Sequence, residues 1–241
     1  MIATLRRWLV DVPILLRLSL RLQLGRWSWL VPLLALVWPA YHALSLIAGW
    51  RPGSFEPEHA QNTLIGVPLY VLAIGLGVRV IAGEIEQRTL EVTYTVPGGA
   101  QRVWISKLVA AAIPLVVAEA LLAIVTVAFF TSVPLQSLYG ALQGAIFYLV
   151  LAMGLGALMR SEITAVLVCG VVLFFNGLMT GFGDVPNRFS PAFNPLAMSG
   201  DDAAEVLALT VQNRIGVALA ILAIVALSCV RAERREELLR V

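Results

Sequence analysis

Apolar residues fill six long stretches of this chain, and short polar or turn-forming segments separate them. The stretches cover about Trp29–Trp50, Thr63–Ala82, Ser106–Thr131, Leu135–Met159, Ile163–Phe182 and Ile215–Val230. The first five have the roughly 20 residues that an α-helix needs to cross about 30 Å of hydrocarbon. The sixth is shorter and follows Arg214, whose side chain we expect to snorkel to the interface. The pattern predicts an all-α, polytopic membrane protein with six transmembrane helices.

Composition supports the same class of protein. Hydrophobic residues make up 59% of the 241 residues and charged residues only 13%, whereas soluble domains average roughly 45–50% apolar residues. The net charge of +2 does not predict a nucleic-acid partner. We therefore expect membrane lipid to surround this chain and expect no nucleic-acid partner.

The basic residues predict the orientation of the six spans. Of the 17 lysines and arginines, all except Arg51, Arg188 and Arg214 fall on one side. That side holds both termini, the connector between spans two and three, and the connector between spans four and five. By the positive-inside rule, the termini are predicted to be cytoplasmic in a multi-pass protein of the cell (inner) membrane.

We predict a single transmembrane domain over residues 1–241, with a six-span bundle at 29–230 and a cytoplasmic tail at 231–241. The strict alternation over Leu16–Leu24 normally indicates a strand. Because no partner strand is visible and a membrane span follows, we predict an interfacial helix within residues 1–26, broken near Pro13. After span five, a short helix is predicted over about Asp201–Leu209.

Sequence signatures of catalysis are missing. The single lysine, Lys107, does not belong to a G-x-x-x-x-G-K-[ST] motif, so the chain has no P-loop. His42 and His59 lie on different elements and do not form H-E-x-x-H. Cys169 and Cys229 fall in apolar stretches and are interpreted as small buried hydrophobes. We expect no enzyme activity, no metal and no cofactor bound by this chain itself.

One carboxylate, Glu119, lies near the middle of a predicted span, where a charge costs several kcal/mol. Two interpretations stay open: a substrate-path or proton-carrying group, or a protonated carboxyl that bonds a neighbouring helix. Gln143 and Asn176 are interpreted as interhelical hydrogen-bonding residues. Two pairs of glycines at four-residue spacing predict close helix approach, and they are Gly140 with Gly144 and Gly177 with Gly181.

The connector between spans two and three reads EIEQRTLEVTYTVPGGAQRVWISK. Its many ionised side chains must lie in water at the membrane edge. The spacing of Glu84 and Arg88 supports a short helix over about Glu84–Thr93. An extended exit and a turn at residues 97–99 should follow, because the residue before Pro97 disfavours helix. Lys107 then marks the return to lipid, and we interpret the connector as a docking element.

These residues resemble a known family. The order I-A-G-E-I-E-Q-R-T-L-E, then T-V-P-G-G, then K-L at Lys107–Leu108 is similar to the same connector in permease subunits of ATP-binding cassette exporters of the second type. That family commonly has E-x-E-x-G-T-L-E there, and Arg88 stands where glycine is usual. The six spans, the basic N-terminal segment and F-N-P-L at Phe193–Leu196 are also similar to this family.

The resemblance implies a dimeric permease that exports an amphiphilic or hydrophobic substrate. Separate ATPase subunits, two copies, would bind ATP and Mg and dock on the connector as a coupling helix. Its contact residues would be Glu84, Glu86, Arg88, Thr89, Leu90 and Glu91. Facing copies of spans two and five would line the path, which makes Tyr70, Phe175 and Asn176 candidates together with Glu119. The second permease would be another copy or a related chain.

Two other functions stay open. A proton-coupled secondary transporter built around Glu119 would lose transport on Glu119→Gln and would follow the proton gradient without nucleotide. A membrane scaffold would have a sealed interior and a dispensable Glu119. The substrate cannot be read from the short connectors.

Overall fold

The structure, a computed structural model, describes residues 16, 18–21, 25, 29–50, 55–89, 100–182, 188–198 and 202–233. All regular elements within these ranges are helical. Six of the helices are long and apolar enough to cross a membrane. This confirms the predicted all-α, polytopic architecture. The predicted N-terminal interfacial helix falls mostly outside the described residues.

The spans are numbered along the chain. Span one comprises Leu30–Leu34 and Val37–Ile47, and span two comprises Pro57–Ala60, a π-helical stretch Gln61–Gly66, and Val67–Glu86. Spans three to six are Ala100–Phe129, Leu135–Met159, Glu162–Phe182 and Ala203–Glu233. A short 3₁₀ helix, Pro195–Met198, precedes span six. Span four begins and ends at the residues predicted.

Span one is broken by its own proline. Pro39 has no N–H group, so the carbonyl of Ala35, four residues earlier, loses its helical hydrogen bond. The helix accordingly stops at Leu34 and resumes at Val37. Across the break, the Leu36 N–H donates to the Leu33 carbonyl at 3.0 Å, which is a tighter turn than an α-helix makes.

Spans two and four form the centre of the bundle. In its most apolar stretch, 72% of the residues of span two are buried within the chain, against 11% in span five and 17% in span six. The two central helices approach at Gly77, where an added Cβ would overlap the Leu149 carbonyl oxygen and lie 2.8 Å from Cβ of Ala152. Small residues at such points let two helix backbones approach closely.

Spans two and three extend further than predicted. Span two continues past Ala82 to Glu86, and span three begins at Ala100, six residues before the predicted Ser106. The separate helix predicted to begin at Glu84 is therefore wrong at its start, because Glu84 and Glu86 belong to span two. Both glutamates bond neighbouring helices.

Span six also differs from its prediction. The short helix predicted at Asp201–Leu209 and the span predicted at Ile215–Val230 are one continuous helix from Ala203 to Glu233. Arg214 therefore lies within the helix rather than before it. Its side chain contacts Gln143 and Tyr139 on span four, and arginine itself is a good helix former.

Candidate functional site

Several charged side chains meet at one end of the bundle, which we call the charged end: Arg79, Glu84, Glu86, Lys107 and Glu162. These residues come from the last turns of span two, the first turns of span three and the first residue of span five. The positive-inside rule predicts that this end is cytoplasmic. The charged end contains the part of the connector that the sequence singled out for docking.

Glu84 is the buried centre of the charged end, with 5% of its surface exposed. The Trp104 Nε1–H donates to Glu84 Oε2 at 3.0 Å, and Lys107 Nζ donates to Glu84 Oε1. A buried carboxylate is stable only when it is paired and hydrogen-bonded. Both oxygens of Glu84 are satisfied by span three, so this group fastens the end of span two to the beginning of span three.

Glu86 fastens span two to span five. Its Oε1 accepts a hydrogen bond at 2.8 Å from the backbone N–H of Glu162, the first residue of span five. The first N–H groups of a helix have no partner within the helix and attract negative charge. The Arg79 Nε lies 4.0 Å from Glu162 Oε2, and this ion pair is a second contact between the same two helices.

The end of span two is closed by a Schellman turn. The Thr89 N–H donates to the Glu84 carbonyl at 3.0 Å and the Arg88 N–H to the Ile85 carbonyl at 3.2 Å. This motif places one residue in the left-handed region, usually glycine. Here that residue is Arg88, with φ of 56°. The turn gives a physical reason for the glycine usual at this position in the family that the connector resembles.

The structure separates the predicted coupling residues into two groups. Glu86, Arg88 and Thr89 are exposed, whereas Glu84 is bonded inside the chain and does not reach the surface. Leu90, Glu91, the predicted extended exit and the turn at residues 97–99 lie outside the described residues. The sequence did not distinguish the exposed Glu86 from the buried Glu84.

The path candidates Tyr70, which is buried, and Asn176, which is half-buried, both neighbour Tyr148. Tyr70 is 2% exposed, and its ring centre is 5.2 Å from that of Tyr148 on span four. Asn176 lies beside Tyr148 and accepts a hydrogen bond from Ser190 Oγ at 2.9 Å. Tyr148 thus connects the two predicted residues, and no sequence pattern had marked it.

Glu119 and Phe175 are placed differently from each other. Glu119 is 8% exposed and lies within electrostatic range of Tyr70. Among the described residues, its Oε1 has no hydrogen-bond partner. Phe175 is 55% exposed on span five. Glu119 is therefore related to Tyr70, and Asn176 to Tyr148 beside Tyr70, whereas Phe175 lies on the outside of the chain.

The glycine pairs differ in the same way. A Cβ at Gly144 would lie 2.5 Å from the Pro191 carbonyl oxygen, and one at Gly140 would overlap the Arg214 guanidinium. At Gly177, such a Cβ would have no neighbour within 4 Å. The surroundings of Gly181 are outside what the structure describes. The first pair therefore meets a loop and a side chain, not a helix backbone.

The sequence interpretation also missed two partners at the charged end. Trp104 and Glu162 each bond a glutamate of span two, although both are distant from it in the chain. The available signal was that Glu162 begins a span after a connector of only two residues.

Within the described residues, no group of three or more histidine, cysteine or acidic side chains could hold a metal. In comparisons with protein-family models and with curated proteins, nothing matches this sequence.

Proposed function

We propose that this chain is the transmembrane permease subunit of an ATP-binding cassette exporter, driven by separate ATPase subunits that dock at the charged end. The six spans supply the membrane domain, and the absence of a P-loop from the sequence leaves ATP and Mg to the partner. A second permease, a copy or a related chain, completes the path. The cargo is an amphiphilic or hydrophobic substrate.

The observation that carries the proposal is the set of bonds made by Glu84 and Glu86. Glu84 joins span two to span three, and Glu86 joins span two to the N-terminus of span five. A force applied to the exposed turn at Gln87–Thr89 therefore acts on three helices together. A loosely attached connector would instead yield without moving the spans.

The two glutamates have different tasks in this proposal. Glu84 is a positioning residue, because both of its carboxylate oxygens accept hydrogen bonds within the chain, from Trp104 and Lys107. Glu86, Arg88 and Thr89 form the described part of the surface that meets the ATPase. Tyr70, Tyr148 and Asn176 belong to spans two, four and five, and we propose that the substrate path runs between these spans.

Charge reversal at the exposed glutamate tests the docking surface. We expect Glu86→Arg to lower the ATPase activity that co-purifies with the chain by roughly tenfold or more, because a charge on the proposed docking surface is reversed and its helix-end contact is lost. The matched control is Glu205→Arg, which makes the same change at an exposed position near the opposite end of the bundle. The measurement is nucleotide hydrolysis by the purified complexes, normalised to permease.

Thermal unfolding of both variants checks that the chain remains folded. Equal ATPase activity with Glu86→Arg and Glu205→Arg would contradict docking at this surface. Loss of activity in both would show that the charge change acts without regard to position, which also contradicts it.

One observation favours the proton-coupled alternative: the Glu119 carboxyl is buried, with Oε1 unbonded among the described residues. A buried carboxyl inside a membrane span is a candidate for carrying a proton along a transport path. The two functions differ in their energy source. Transport that follows a proton gradient without nucleotide, and that Glu119→Gln abolishes, would replace the permease proposal by the alternative.

A further inference from the structure

Arg214 lies on span six, and its side chain reaches across to span four. Its Nη1 donates to Gln143 Oε1 at 3.4 Å and to Asn213 Oδ1 at 3.5 Å. Its Cζ lies 5.6 Å from the ring centre of Tyr139. The Gln143 Nε2 in turn donates to the Arg214 carbonyl at 2.7 Å. These contacts hold the guanidinium in one place and one orientation.

Within the described part of the chain, no carboxylate forms an ion pair with Arg214. Its Nη2 is buried and has no acceptor there. The two bonds of Nη1 go to neutral amide oxygens, and Tyr139 offers only its ring. An unbalanced cation within a membrane span is costly and usually marks a functional site.

The Arg214 guanidinium lies against a glycine of span four and beside an exposed tyrosine. Gly140 has no side chain, and a Cβ there would overlap Nη2, so the guanidinium lies directly against the backbone of span four. Tyr139, beside it, is 56% exposed. An incoming group can therefore approach along the Tyr139 ring from outside the chain.

The depth of Arg214 favours a lipid-like ligand. It precedes Arg231 by 17 positions of one continuous helix (231 minus 214), which is about 25 Å. Tyr139 is in the second turn of span four, about 6 Å from its start at Leu135. With Arg231 at one membrane surface, the backbone of Arg214 lies about 5 Å short of the other edge of a ~30 Å hydrocarbon layer. A long arginine side chain can cover that distance and reach the level of amphiphile headgroups.

We propose that Arg214, with Tyr139 and Gln143, binds the anionic headgroup of an amphiphile at the membrane surface opposite the charged end. Phosphate and carboxylate oxygens match the planar donor fork of a guanidinium, and a charged acceptor makes the strong bond that the amide oxygens do not. The acyl chains lie along the exposed apolar sides of spans four and six. This site goes beyond the proposed function, because headgroup binding needs no ATPase.

Lipid titration tests the site without a transport assay. The purified chain in detergent is titrated with phosphatidylglycerol or with phosphatidylcholine, and bound lipid is counted by native mass spectrometry. We expect phosphatidylglycerol to bind more tightly, and Arg214→Gln to weaken its binding by roughly tenfold or more, the size of a lost charge-assisted bond. Arg188→Gln, an exposed arginine near the same end, should bind as the unchanged chain does.

A second pair of variants keeps Arg214 and guards against misfolding. Tyr139→Glu places a carboxylate where it can neutralise the guanidinium from an exposed position, and it should weaken phosphatidylglycerol binding as Arg214→Gln does. Tyr139→Phe keeps the ring and should retain binding. A merely structural arginine would not respond to Tyr139→Glu in this way.

Three results would overturn the proposal. The first is equal binding of the two lipids by the unchanged chain. The second is undiminished phosphatidylglycerol binding in both Arg214→Gln and Tyr139→Glu. The third comes from a titration with inorganic phosphate alone: binding as tight as that of phosphatidylglycerol, and dependent on Arg214, would assign the site to a soluble anion. Failure of the Glu86→Arg prediction would leave all three measurements unaffected.

Discussion

At the residue scale, two arginines at the charged end hold backbone conformations that normally favour glycine. Arg88 ends span two with φ of 56°, and Arg160 ends span four with φ of 57°. In this region the Cβ of an L-residue approaches its own carbonyl oxygen, at a cost of roughly 1–2 kcal/mol. The chain accepts this cost twice, in the two turns next to Glu84 and Glu162.

Replacing Arg88 by glycine should therefore stabilise the fold. We expect Arg88→Gly to raise the free energy of unfolding by about 1 kcal/mol, less the conformational entropy that glycine adds to the unfolded chain. Arg88→Ala is the control, because it removes the charged group but keeps the Cβ. Chemical denaturation in detergent measures both. A gain in Arg88→Ala as large as in Arg88→Gly would show that the charge, and not the backbone, carries the cost.

Residue identity alone could reveal the charged end but not its internal bonds. The run of charges beginning at Glu84 is visible in the sequence and predicts a water-exposed segment. That Glu84 faces inward depends on Trp104 and Lys107, which a different helix brings to it. Local patterns carry no information on such a meeting, so the sequence treats Glu84 and Glu86 alike although one is buried and the other exposed.

At the element scale, the close contact between spans two and four depends on glycine residues, which have no side chain. Gly77 faces the backbone of Leu149 directly, and Gly156 faces Ala82, where an added Cβ would lie 3.2 Å from the Ala82 Cβ. A backbone obstacle cannot rotate away as a flexible side chain does. Gly77 is therefore the position in the central pair of helices that tolerates an added side chain least.

Two glycines in the same helix give a matched test. We expect Gly77→Ala to destabilise the chain by about 2 kcal/mol, since the new methyl group must push two helix backbones apart. Gly75→Ala, two residues away, meets nothing within 4 Å. It should be neutral or stabilising by up to roughly 1 kcal/mol, because alanine is the better helix former. Thermal unfolding of the two variants measures the difference, and equal stability would contradict the observed helix contact.

Helix ends were predictable only where local chemistry sets them. Span four matches its prediction because Pro134 lies before it and the turn at Arg160 follows it. Span six does not match, since Arg214 reads as a boundary in a hydropathy pattern. In the structure its guanidinium bonds Gln143 on span four, and the helix continues through it. A hydropathy pattern marks the apolar part of a helix and does not show how far the helix continues beyond it.

At the scale of the whole molecule, the bundle is tightly joined at its charged end and open along its outer helices. Spans two, three and five share the bonds around Glu84 and Glu86, while most of spans five and six faces outward from this chain. In the proposed exporter, those outward faces meet lipid or the second permease. In that proposal the joined end is also where a partner ATPase transmits its energy, and Arg214 lies at the other end.

Photo-crosslinking in native membranes tests the central claim most directly. Gln87→p-benzoylphenylalanine places a reactive probe on the exposed turn that follows Glu86, and Glu205→p-benzoylphenylalanine is the control near the opposite end. Products are identified by mass spectrometry. The account predicts that the probe at position 87 links the chain to a polypeptide with a P-loop, and that the probe at position 205 does not. If position 87 captures no P-loop protein, or if both positions capture the same one, the charged end is not where an ATPase drives this chain.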